Sequence, residues 1–126
     1  IYEEAFLEAA GEASEGAYIT FGGVPGPKLT GKGKEWYDAY KAQFNSEPEV
    51  YAVYGYEATN VALAAINKVC KADRAAILDA VFATKDFDGV TGKFSIDQNG
   101  DTSSTAMSGF QITGGKFDTD NTTVLK

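Results

Sequence analysis

The sequence predicts an α/β chain, and three observations carry that expectation. Helical periodicity fills the middle, from about residue 30 to residue 84. Short extended segments lie at 17 to 21 and again beyond residue 92. The first change of regime falls on "GGVPGP" at 22 to 27, which continues neither a strand nor a helix. The chain of 126 residues is of single-domain size, and its 44% hydrophobic and 13% aromatic content is that of a globular protein.

Residues 2 to 10 read as a short helix with Tyr2, Phe6 and Leu7 on its apolar face, closed by Gly11 and Gly16 around "EASE". The opening "IYEEAFLEAAGEASEG" has no initiator Met and no cap, so it reads as a processed or truncated chain that begins at or inside a helix. "AYITF" at 17 to 21 is rich in strand formers. In "GGVPGP" the backbone is permissive at Gly22 and Gly23 and stiff at Pro25 and Pro27, which suits a crossing between two structural units; an ordinary strand-to-helix loop is the competing reading.

Lys28, Lys32 and Lys34 mark a solvated helix start rather than an anion site. In "KEWYDAYKAQF" the stripe Trp36, Tyr37, Tyr40 and Phe44 has helical spacing and is expected to dock as core. Pro48 in "NSEPEV" ends that helix. A longer helix is predicted from about Tyr54 to Lys71, with Ala58, Val61, Ala65 and Val69 repeating at three and four, and Cys70 expected as a small packed side chain. Asp73 fits the N-cap of a third helix whose Ile77, Leu78, Val81 and Phe82 share a face.

The period then changes to alternation, with "GKFSI" at 92 to 96, a turn at "DQNGD", "MSGFQI" at 107 to 112 and a tight turn in "TGGKF". The tail "DTDNTTVLK" is expected to fray or to pair only at a sheet edge. The helices carry more apolar surface than these strands can cover. More sheet is therefore expected upstream of Ile1 or from another chain, and the chain by itself is expected to associate through its apolar helix faces.

Eleven basic residues against eighteen acidic ones give a net charge of −7, which disfavours nucleic acid and anionic membranes as partners. Without histidine there is no Ser/His/Asp triad and no His-ligated metal, and a single cysteine excludes an internal disulfide. No segment is long and apolar enough for a membrane helix.

The stretch "DFDGVTGKFSIDQNGD" at 86 to 101 has the composition of a calcium loop, and a small calcium-binding or structural domain is the second functional reading. Neither register fits the template. From Asp97 the glycine falls at position 4 and Ser108 at position 12; from Asp86 the glycine again falls at 4 and only Asp97 at 12. An enzyme using paired carboxylates would draw on Asp86 and Asp88, yet no neighbouring residues supply a desolvated pocket. A strand with a polar turn at Asn99-Gly100 is the better reading.

Three pieces in order resemble one family: "EGAYITF" ending at 21, "Y-x-x-Y-G-Y-[DE]-A" at 51 to 58, and "F-x-G-V-T-G-x-F-x-I-D-x-N-G-D" at 87 to 101. Together they resemble, over about residues 5 to 117, the C-terminal part of the periplasmic solute-binding proteins of branched-chain amino acid ABC importers. The resemblance implies a type I periplasmic-binding-protein-like α/β fold of two lobes, of which this chain would be a C-terminal fragment with parts of both. Residues 1–21 would end the second lobe and 22–29 would form a hinge crossing. Residues 30–96 would pack on the first lobe, 97–106 would form a return crossing, and 107–126 would rejoin the second lobe.

It also implies a non-enzymatic protein without cofactor, periplasmic or extracellular, with or without a lipid anchor, that captures an amino acid-like ligand and delivers it to a membrane permease. Tyr51 matches the family position whose ring faces the cleft between the lobes. Tyr54 is a second ligand-wall candidate, and Tyr54 and Tyr56 alternatively pack the helix start against the sheet. Gly22 and Gly23 would serve as hinge. Glu57 is expected to face solvent, since the family's ammonium-binding acid would lie upstream of Ile1. The groups that hold a ligand carboxylate would lie in the first lobe, so the fragment is expected to pair with itself or with the missing N-terminal part.

Overall fold

The computed structural model describes residues 2–125. In chain order the elements are α1 (Glu4–Ala10), β1 (Tyr18–Gly22), α2 (Lys32–Phe44), α3 (Ala52–Val69), α4 (Arg74–Phe82), β2 (Phe87–Gly89), β3 (Gly92–Phe94), β4 (Met107–Thr113), β5 (Lys116–Phe117) and β6 (Thr123–Leu125). The mixture of helix and strand is the α/β class expected.

Alternation decides one half of the molecule. β1 and β4 pair antiparallel, with Ile19 opposite Phe110 and Phe21 opposite Ser108, so one sheet face is apolar and the other is wet. Ile19, Phe21, Phe110 and Ile112 form the buried cluster of that face, and Tyr2, Phe6 and Leu7 of the α1 region pack on it. The Tyr2 ring meets Phe21, Phe110 and Phe117 edge-on at centroid distances of 5.1, 4.6 and 4.8 Å, a geometry the ring quadrupoles favour. β5 returns on β4 through Gly114-Gly115, and the tail pairs with the start of β4 as β6.

The other half is helical. α3 packs on α4 and touches β2. Buried Tyr37, Val53, Val61, Ala65 and Phe94 supply its interior. Asp73 caps α4 by accepting the Ala76 amide at 3.0 Å, satisfying one of the first-turn donors. β2 and β3 form a two-stranded hairpin with Phe87 opposite Phe94.

Several expectations are corrected. β1 begins one residue later than predicted and takes in Gly22, and α3 starts at Ala52 and stops at Val69. Cys70 is the left-handed C-cap of α3 (φ 55°) and is exposed, because the chain turns away from the packed face there. Of the aromatic stripe on α2 only Tyr37 is buried; Phe44 is 57% exposed, and Trp36, Tyr40 and Phe44 stack on one another along the helix. "GKFSI" is a strand only to Phe94, and its partner β2 was not predicted, since three residues are too few to show a period. The three lysines lie at the surface, as expected, and pair there: Lys28 reaches Asp120 at 3.3 Å, Lys32 reaches Asp88 at 2.7 Å and Lys34 reaches Asp38 at 2.5 Å. Such exposed pairs each contribute little to stability.

The apolar excess on the helices remains visible. Leu63 and Ile66 of α3 and Leu78 and Phe82 of α4 are 50%, 43%, 54% and 39% exposed. Among the described residues no helix is long and apolar enough to cross a membrane.

Candidate functional site

The chain leaves the sheet at Gly22, opposite Met107 at the start of β4, so the way out of β1 and the way into β4 lie side by side. From there the chain passes Gly23, buried Pro25 and a 3-10 turn at Gly26–Lys28 into α2. The segment after β1, the segment before β4 and one face of α3 border an open, mainly apolar groove of about 810 Å³, lined among others by Gly22, Gly23, Tyr54, Glu57, Val61 and Phe94. Thr91, Ser104 and Thr105 add hydroxyls to its wall. Its size is that of a small-molecule site.

Three of the four candidate residues therefore meet in one place. The fourth, Tyr51, caps the start of α3 beside them and is 53% exposed. Its ring lies 6.0 Å from Phe21 and 6.5 Å from Tyr54, and Phe21 lies 6.0 Å from Tyr54, so the three rings form a triangle at the junction of sheet and helix. Phe21 was missed as a site neighbour because its sequence context reads only as strand.

Tyr54 uses both ends. Its ring packs on the sheet cluster, and its hydroxyl donates to the Gly22 carbonyl at 3.0 Å. Half-burial, with the neighbouring Tyr51 as a smaller contribution, raises its pKa, so the hydroxyl remains a donor at neutral pH. The next carbonyl, that of Gly23, accepts from the buried Ser108 hydroxyl at 2.6 Å. Gly23 has φ 131°, and a Cβ there would overlap the Tyr54 hydroxyl. Glycine is thus required twice at this position, by conformation and by space.

Glu57 overturns an expectation. It does not face solvent: it is 5% exposed, and its Oε2 accepts the Thr91 amide of the β2–β3 turn at 2.7 Å. Among the described residues its Oε1 is buried without a hydrogen-bond partner. The carboxylate lies over Gly89, which has no room for a side chain. Glu57 sits one helical turn beyond Tyr54 on the same face of α3, a position no local sequence signal marks as buried.

The acidic segment does other work. Asp88 pairs with Lys32, whose hydrogen bond and charge lower its pKa. Asp97 accepts the amides of Asn99 and Asp101 at 2.8 and 2.9 Å, which lowers its pKa and closes the loop 97–101 over an isolated bridge between Ile96 and Thr102. Among the described residues no group of three or more Asp, Glu, Cys or His side chains converges as a metal-holding set. A second groove, of about 830 Å³, runs between α2 and α3 past Trp36, Tyr40, Phe44 and Tyr56.

The sequence profile of the family described as periplasmic binding protein matches residues 1–116. The leucine-binding protein LivK of Thermotoga maritima is 30% identical and superposes with a TM-score of 0.78 over 91% of this chain and 33% of its own. The branched-chain amino acid transporter substrate-binding protein LivJ of Streptococcus pneumoniae, solved with isoleucine, is 28% identical with a TM-score of 0.80, covering 98% of this chain and 34% of its own. A solute-binding protein of an ABC transporter from R. palustris, solved with benzoate, shares the fold at 21% identity and a TM-score of 0.69, over 88% of this chain and 31% of its own. The chain thus spans about a third of the length of these structures. No curated protein sequence matches it significantly.

Proposed function

The chain belongs to the periplasmic binding protein family, and from that premise we propose that it is part of an extracytoplasmic solute-binding component of an ABC importer. That component captures a small ligand between two lobes and delivers it to a membrane permease. A branched-chain or related amino acid is the ligand class we favour, because the relatives at 28% and 30% identity are a protein solved with isoleucine and a leucine-binding protein.

The observation that carries the reading is the meeting of the Tyr51–Phe21–Tyr54 triangle with two adjacent chain crossings. Rings beside a hinge supply an apolar wall with a polar edge, the surface an aliphatic side chain and its charged backbone groups require. In this reading the sheet of β1, β4, β5 and β6 with α1 belongs to one lobe, α2 to α4 with the hairpin to the other, and Gly22 and Gly23 take up the rotation between them. The exposed apolar faces of α3 and α4 are covered by the part of a relative-sized protein that this chain does not span; the chain alone self-associates through them.

Calorimetric titration of the complete protein carrying this chain, with leucine, isoleucine, valine, benzoate and calcium, tests the proposal. Saturable binding of an aliphatic amino acid, weakened roughly tenfold or more, that is by at least about 1.4 kcal/mol, in Tyr51→Ala, is the expected result. Heat from calcium alone, with none from any organic ligand, would overturn it.

A further inference from the structure

We propose that Tyr54 is a positioning residue: its hydroxyl latches the first crossing to α3 and sets the balance between open and closed lobe arrangements without choosing the ligand. The inference rests on the two-lobe reading above and adds a device to it.

Three observations carry it. The Tyr54 hydroxyl reaches across 32 residues of sequence to the Gly22 carbonyl, at the point where β1 ends and the crossing starts. Gly23, the next residue, leaves open the space that this hydroxyl occupies. The adjoining carbonyl is also held by a hydroxyl, but that one comes from Ser108 of β4, so it ties crossing to sheet and not crossing to helix. Among the described residues the Tyr54–Gly22 hydrogen bond is thus the side-chain bond that joins α3 to this crossing, and a rotation of α3 against the sheet must break or re-form it.

The site geometry says why the bond would matter to binding. Tyr51 and Tyr54 stand three residues apart at the start of one helix, and both rings touch Phe21 of β1. A ligand that presses on Tyr51 moves α3 with it, because backbone hydrogen bonds from Gly55 and Tyr54 back to the Tyr51 carbonyl tie both residues into the same first turn of the helix. The displacement is then read at the Tyr54 hydroxyl. Since that hydroxyl is engaged by the backbone, what Tyr54 offers to the groove is ring and not donor, and it carries no information about the ligand's polar groups.

A net hydrogen bond of ordinary strength shifts a two-state ratio roughly two- to tenfold when it is present in one state only. Spin labels on Cys70, exposed at the end of α3, and on Lys116→Cys, exposed on β5, report the distance between helix and sheet. In the complete ligand-free protein, Tyr54→Phe is expected to move the label distance distribution, with a two- to tenfold change in the population ratio. It should scale all ligand affinities by a common factor and leave their order unchanged. Gly23→Ala, whose Cβ would overlap the hydroxyl and displace the Tyr54 ring from Gly22 while keeping the phenol in the chain, is expected to shift the distribution in the same direction. An unaltered distribution in Tyr54→Phe, or a reordering of ligand preference, overturns the latch. The function proposed above stands or falls separately, on whether the wild-type distribution responds to an amino acid at all.

Discussion

Glu57 holds the Thr91 amide at 2.7 Å from inside α3, 34 residues away in sequence, and so fixes the β2–β3 turn to the helix that lines the groove. Removing the carboxylate leaves a part-buried N–H without its partner. Glu57→Ala is expected to cost about 1–3 kcal/mol, measured by urea denaturation, with faster amide exchange at Thr91. Glu57→Gln keeps one acceptor for Thr91 and replaces an oxygen that has no partner, so it should stay within about 1 kcal/mol of wild type.

Gly89 lies under the same carboxylate and cannot take a Cβ without displacing it. Gly89→Ala should therefore destabilise the hairpin, and its effect should shrink in the Glu57→Ala background, where the obstructing group is gone. A double-mutant cycle measures this coupling, expected at roughly 0.5–3 kcal/mol for residues in contact. Simple additivity of the two substitutions would contradict the packing described.

Glu15 holds the turn between β4 and β5 by accepting the amides of Gly114 and Gly115 at 2.9 and 3.0 Å. These two bonds favour the charged form and lower the Glu15 pKa below its ordinary value of 4.5. A depressed folded-state pKa means that the contribution is present in full above 4.5 and is lost as pH falls from there through the folded value. Protection of the Gly114 and Gly115 amides, corrected for intrinsic exchange, should decline over that acid range. Glu15→Gln should abolish the pH dependence.

Ile112 is fully buried in the sheet cluster with Phe110 and Ile19. Truncation to Ala removes its contacts and leaves a cavity that β-sheet neighbours close only in part. A loss of about 2–5 kcal/mol is expected, and Ile112→Val should lose about 0.5–1.5 kcal/mol. Chemical denaturation of the two variants checks the order.

Ser108 is buried beside Phe21, and its hydroxyl satisfies the Gly23 carbonyl. Ser108→Ala is expected to destabilise by about 1–3 kcal/mol because a carbonyl at the crossing loses its donor. Substitution by Thr keeps the hydroxyl and should recover part of the loss, which thermal unfolding can resolve.

Legibility followed the range of the forces involved. The cap of α4 at Asp73, the extended segments of β1 and β4 and the stop that follows β1 are short-range effects of backbone conformation and side-chain period, and they read from sequence to within a residue or so. The three-part resemblance also pointed to the right family over nearly the right span. The aromatic stripe of α2 misled because helical spacing shows that rings share a face, not that a partner covers it. Trp36, Tyr40 and Phe44 are left to stack on each other beside Tyr56.

By itself the sequence determined the class of the chain, the order of its helices and of its two longer strands, and the Gly- and Pro-rich break that follows β1. The tertiary structure alone decided that Glu57 is buried, that Cys70 is exposed, and that Tyr54, Gly22, Gly23 and Ser108 form one hydrogen-bonded junction. The physical reason is that period and propensity act over a few residues, whereas burial and hydrogen-bond partnership here join groups 32 to 85 positions apart. Only the paired register of β1 with β4 and the docking of α3 against them bring those groups within reach of one another.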